Sequence, residues 1–105
     1  MSLQVQFQPL ASLEVSDAAF WYDEQRPGLG GRFLTAVSTS IDRASRWPNA
    51  GTPVEVASNG NVLIRKVSTI GFPYAIGYEF NSNVLTVLAV FHQHRHPNYW
   101  TTREP

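Results

Sequence analysis

The stretch VLTVLAVFH, residues 84 to 92, constrains the fold more than any other part of the chain. It is apolar almost without interruption from Val84 to Val90. A half-buried strand alternates apolar and polar side chains, so a run of this kind is expected of a central strand covered on both faces. A chain built around such a strand must supply neighbours on either side of it and cover above and below.

The neighbours are legible upstream. PVEVAS, VLIRKVS and YAIGYEF read as strands, separated by NGN, TIGFP and NSN. Asn59-Gly60 is a strong hairpin signal, because a tight primed turn needs positive φ at both central residues; Asn81-Ser82-Asn83 is a weaker one. At the other end, LQVQFQ alternates Leu3, Val5 and Phe7 with Gln4, Gln6 and Gln8, the two-residue period of a half-buried strand. Pro9 ends that strand and fits the first turn of a helix.

The helix expected from about Leu10 to Arg26 carries Leu13, Phe20, Trp21 and Tyr22 with imperfect periodicity. RPGLGGRF breaks it and opens a second helix, in which Leu29, Phe33, Val37, Ile41 and Ala44 share one stripe. Trp47-Pro48 closes this helix, since the residue before proline disfavours the α region. The expected order is β-α-α-β-β-β-β. This is an α+β architecture with a two-helix hairpin packed on one face of a mostly antiparallel sheet. With 105 residues, the chain is read as a single domain over 1–105.

Composition narrows the function classes. No apolar run approaches the roughly 18 residues of a membrane span, and the first residues lack the basic start and apolar stretch of a secretory leader. There are no cysteines, which excludes disulfides, thiolate nucleophiles and cysteine-ligated zinc and fits a cytoplasmic protein. Eight Lys plus Arg balance eight Asp plus Glu. That balance argues against nucleic acid as the main target, since phosphate contacts normally draw on a basic excess.

The stretch FHQHRHPNYW, residues 91 to 100, places His92, His94 and His96 at alternate positions. Three imidazoles on one side of a strand can converge on a metal. Here Pro97 interrupts the strand and no carboxylate lies in the segment to orient the rings, so neither a metal site nor a cofactor is expected. Arg65, Lys66, Arg95 and Arg103 form a sparse basic set. With His92, His94 and Tyr99 they could provide acid, base and phosphate clamp for RNA cleavage at a 2′-hydroxyl. The same residues also fit a solvated face with one or two salt bridges. GLGG, residues 28 to 31, lacks the spacing and the Lys-Ser/Thr of a phosphate loop and is read as the bend between helices. Glu14, Asp17, Asp23 and Glu24 are read as the wet side of the first helix. Phe20, Trp21 and Tyr22, being consecutive, cannot all face one core from a helix, which leaves at least one for a partner.

FWYDEQRPGLGGRF, WPNAG, FPYAIGYEF and VLAVFHQHRHPNYWTTR, in that order and spacing, resemble the RelE/ParE toxin superfamily of bacterial toxin–antitoxin modules, often called plasmid stabilisation proteins. The resemblance spans essentially the whole chain. It implies a toxin neutralised by a cognate antitoxin, with one of two modes of action. RelE-like members cleave mRNA in the ribosomal A site, and ParE-like members poison DNA gyrase through protein contact. Ribonuclease members carry an Arg after the first Tyr of a Y-R-x-x-Y-like stretch, where this chain has Ala75 in YAIGY. Arg95 and Tyr99 match the ribonuclease pattern, so the set implied for that mode is Arg65, His92, Arg95 and Tyr99. The partner-contact residues are expected to be Trp21, Tyr22, Trp100 and Arg103, with Tyr99 and Trp100 packing back on the sheet or meeting the antitoxin. A ParE-like toxin is the expected reading. A ribosome-dependent endonuclease and a decayed toxin that only binds antitoxin are the alternatives. A homodimer, or a heterotetramer with antitoxin, fits the same resemblance.

Overall fold

The structure is a computed structural model describing residues 2–94 and 99–103. Strand β1 (Gln4–Phe7) leads into helices α1 (Pro9–Gln25) and α2 (Leu29–Arg46). After a short 3-10 turn at Pro48–Ala50 come β2 (Thr52–Val56), β3 (Val62–Ser68), β4 (Tyr74–Phe80) and β5 (Val84–His92). The five strands form one sheet in the order β1-β5-β4-β3-β2. β1 runs parallel to β5 and every other pairing is antiparallel. The β-α-α-β-β-β-β, α+β architecture expected from the sequence is the one observed.

The helical hairpin is built by its glycines. Gly28 adopts φ 90° at the junction, a conformation that costs other residues energy. Gly30 lies so close to α1 that a Cβ there would sit 2.3 Å from the Ala19 carbonyl oxygen. Its N–H donates to Asp23 Oδ1 at 2.8 Å, so the first turn of α2 is occupied by the chain's own carboxylate. α2 then buries Phe33, Val37, Ile41 and Ala44 along one stripe. Each of the three larger side chains stabilises the packing by about 1.5–3 kcal/mol.

α1 packs differently. Its buried residues are Ala11, Ala18 and Ala19, with Val15 and Tyr22 partly buried beside them. Leu13, Phe20 and Trp21 point outward and are more than half exposed. Small residues facing the sheet let the helix lie close, at the cost of a readable apolar stripe.

β5 is covered on both faces, and a bulge governs how. Tyr78 pairs with Val87 while Gly77 pairs with Ala89, leaving Leu88 as an extra residue. Leu85 and Val87 belong to the core under the helices, and beyond the bulge Val90 takes over that side. Leu88, Ala89 and Phe91 pack instead with Ile64, Ala75 and Trp100 on the far face. There the Trp100 indole stacks on Phe91 with centroids 5.1 Å apart and is fully buried. Gly77 makes room for it, since a Cβ at that position would lie 2.3 Å from the ring. β1 departs from the half-buried expectation. It is the sheet's edge, all four of its residues are exposed, and Val5 and Phe7 remain about two-fifths accessible.

Candidate functional site

An open cleft of about 620 Å³ lies between α1 and the ends of β4 and β5. α1 contributes Glu14, Asp17, Ala18 and Trp21 to it, positions separated by three or four residues and therefore on one helical face. The sheet contributes Tyr74 and His92, which sit opposite each other in the β4–β5 register with rings 5.5 Å apart. His92 reaches this side because the bulge at Leu88 shifts the phase of the strand. Its Nδ1 accepts the His94 backbone N–H at 3.2 Å, which assigns the proton of the neutral ring to Nε2. Tyr99 closes the outer wall.

Glu14 is the hub of the cleft's rim. Its Oε1 accepts from the Val90 backbone N–H at 3.1 Å and from Arg103 Nη1 at 2.8 Å. Its Oε2 accepts from the Tyr99 hydroxyl and from Arg103 Nη2 at 3.3 Å. The Arg103 guanidinium also donates to the Leu88 carbonyl at 3.1 Å and lies 5.3 Å from the centre of the Tyr99 ring. Glu14 is thus not simply part of the wet side of α1; it ties the C-terminal segment to β5. The sequence carried no sign of this pairing, because the partners are 89 positions apart.

The residues singled out from the sequence separate into distinct places. His92, Tyr99, Trp21 and Tyr22 line the one cleft. Tyr22 turns inward against Phe72 and Phe33, with centroids 4.9 and 5.3 Å away. Burial, then the neighbouring Tyr74, raises the pKa of its phenol above the ordinary value. Trp100 lies under the opposite face of the sheet. Arg65 sits across from Tyr78 and so at the level of Val87, five residues (roughly 16 Å) along the strand from His92. Its guanidinium donates to the Asn49 and Gly51 carbonyls at 3.0 and 2.8 Å. Arg95 and His96 lie outside the described residues. Among the described residues, no group of three metal-ligating side chains is brought together.

Two carboxylates and no lysine or arginine appear in the described lining of the cleft. Glu14 is paired with Arg103, so the net negative charge of the described lining is that of Asp17, which favours a cation over a polyanion. Its chemical resources are an imidazole, three phenols, an exposed indole and the Asp17 carboxylate.

No protein-family model matches the sequence, and no curated protein does. Among solved structures, the chain is similar to one from the "Chromosomal ParDE TA system from P. aeruginosa", with a TM-score of 0.71, 13% identity, and coverage of 87% of this chain and 96% of that one. The architecture reached from the sequence, the helical hairpin on the sheet and this likeness agree: the chain has a ParE-like fold.

Proposed function

We propose that this chain is the toxin of a type II toxin–antitoxin module of the plasmid-stabilisation kind. In this reading it is ParE-like, acts in the cytoplasm by protein contact on a target such as DNA gyrase, and is neutralised by a cognate antitoxin. The observation that carries the mode of action is the charge of the cleft. His92 and Tyr99, the acid/base candidates, share it with Glu14 and Asp17, while the Arg65 guanidinium is bonded to backbone carbonyls at the other end of the sheet. Stabilising a cleaving phosphate needs cations at the reacting group, and each missing donor costs about a hundredfold or more in rate.

A place for the antitoxin is supported by the free edge of the sheet. Val5 and Phe7 of β1, with Leu34, Val37 and Ile41 of α2, line an apolar groove of about 330 Å³. β1 carries neither charge nor proline to discourage pairing. An extended antitoxin segment that adds a strand to β1 would place alternate apolar side chains in this groove. The endonuclease reading has one observation in its favour, the shared cleft of His92 and Tyr99. Assays of purified gyrase and of translating ribosomes, run side by side, separate the two. Blocked supercoiling with intact mRNA is the expected result, and A-site cleavage with supercoiling untouched would reverse the assignment. Co-expression with the product of the adjacent reading frame is expected to yield a stable complex. Separate elution of the two at micromolar concentration counts against the module.

A further inference from the structure

We infer that the cleft between α1 and β5 receives an arginine side chain presented by a protein partner. The inference rests on the reading that this chain works through protein contacts, and it specifies the chemistry of one of them. Asp17 lines the cleft and has no hydrogen-bond or ion-pair partner among the described residues. It lies one helical turn from Glu14 on one side and one turn from Trp21 on the other, so its carboxylate stands beside an indole that is more than half exposed. Trp21, Tyr74 and Tyr99 supply aromatic surface around it.

The chain itself shows what this kind of corner accepts. Arg103 offers both terminal nitrogens to the two Glu14 oxygens and lies over the Tyr99 ring. A planar guanidinium can bond a carboxylate with its fork while lying against an aromatic face, and an ammonium cannot do both. Asp17 with Trp21 repeats the pairing of carboxylate and ring on the open side of the cleft, with no cation on it among the described residues. Glu14 is already neutralised by Arg103, so among the described residues the uncompensated negative charge of the cleft is that of Asp17. The volume of about 620 Å³ exceeds a guanidinium, leaving room for the residues that flank it in a partner. One ion pair and one stacking contact in an open cleft give weak binding, so the arginine must arrive on a larger surface. Phe20 and Trp21 extend exposed apolar area beside the cleft for that surface.

The test is an amide NMR titration of the whole chain with N-acetyl-arginine amide, its citrulline analogue and N-acetyl-lysine amide. Saturable shifts are expected at the amides from Asp17 to Tyr22 and at the Trp21 indole N–H. Citrulline and lysine should bind about tenfold more weakly or less. Asp17→Asn should weaken arginine binding about tenfold, and Trp21→Leu should also weaken it. Asp42→Asn removes the same charge at the exposed Asp42–Arg46 pair and should leave binding unchanged. Equal losses in D17N and D42N would reduce the effect to overall charge and overturn the inference. So would lysine binding as tightly as arginine, the absence of saturable shifts, or binding that appears only after Arg95→Ala, since the occupant would then be this chain's own arginine. Neither toxicity nor antitoxin capture is read in this titration, so its failure would leave the proposed function standing.

Discussion

Glu14 and Arg103 together close the stretch of β5 edge that β1 is too short to cover. β1 pairs with β5 only as far as Val87. Beyond it, Glu14 takes the Val90 N–H and Arg103 takes the Leu88 carbonyl, bonds that a longer neighbouring strand would otherwise make. Both side chains are largely screened from water, at 14% and 21% exposure for Arg103 and Glu14. The pair therefore does more than a surface salt bridge, which contributes little. Glu14→Ala would strand the Val90 N–H and remove the ion pair of Arg103, whose guanidinium keeps the Leu88 carbonyl. A loss of about 2 kcal/mol is expected in urea unfolding, with Glu14→Gln costing less because its amide oxygen still accepts. Wild-type stability in the Ala variant would mean that the C-terminal segment is held by packing alone.

The indole of Trp100 and the missing side chain of Gly77 form the second coupled pair. Trp100→Ala empties a fully buried site and should cost about 3–5 kcal/mol. Gly77→Ala forces a methyl against the ring and should cost about 1–3 kcal/mol. In a strand free of that clash, alanine is preferred to glycine. The same Gly77→Ala change made in the Trp100→Ala background is therefore expected to be neutral or mildly stabilising. A double-mutant cycle in chemical denaturation measures this, and additive costs would contradict the packing described.

Much of the fold could be read from the sequence because its signals were local. The stripe of α2, the Asn59-Gly60 turn and the apolar length of β5 each reflect a physical requirement that acts over a few residues. Three features escaped that reading. α1 buries alanines and exposes Leu13, Phe20 and Trp21, so its pattern inverts the usual size rule. The bulge at Leu88 leaves no mark in a strand that is apolar on both faces, yet it decides which side His92 faces. Glu14 meets Arg103 only through the tertiary fold, and nothing near either residue announces the other.

Glu79 should make stability depend on pH. Burial raises the pKa of its carboxyl above the ordinary value, so the folded state favours the protonated form. An acid raised in this way contributes stability that is complete below its unfolded value and is lost as pH rises through the folded one. Glu79→Gln is therefore expected to be more stable than the parent at about pH 7 and to lose that advantage near pH 4. Melting curves at the two pH values check this, and an advantage of equal size at both would remove ionisation of Glu79 as the cause.

Arg65 gives the last prediction, because its structural bonds and its proposed irrelevance to catalysis can be measured apart. The guanidinium spans the Asn49 and Gly51 carbonyls, fastening the turn after α2 to β3. Beneath that turn, the Tyr78 hydroxyl donates to the Pro48 carbonyl at 2.7 Å, so the arginine guards a site where a second buried bond depends on loop position. Arg65→Met keeps the packing stem and removes both donors, and should cost about 1–2 kcal/mol. Arg65→Lys should recover part of that loss, since both bonds come from the one nitrogen Nη1 and an ammonium also has protons for two carbonyls, but on a shorter stem. If Arg65 serves the turn alone and the proposed toxin function holds, folded Arg65→Met protein should inhibit the target as strongly as the parent, with any loss of toxicity in cells following the reduced amount of folded protein. Full stability with lost inhibition would return Arg65 to the functional surface.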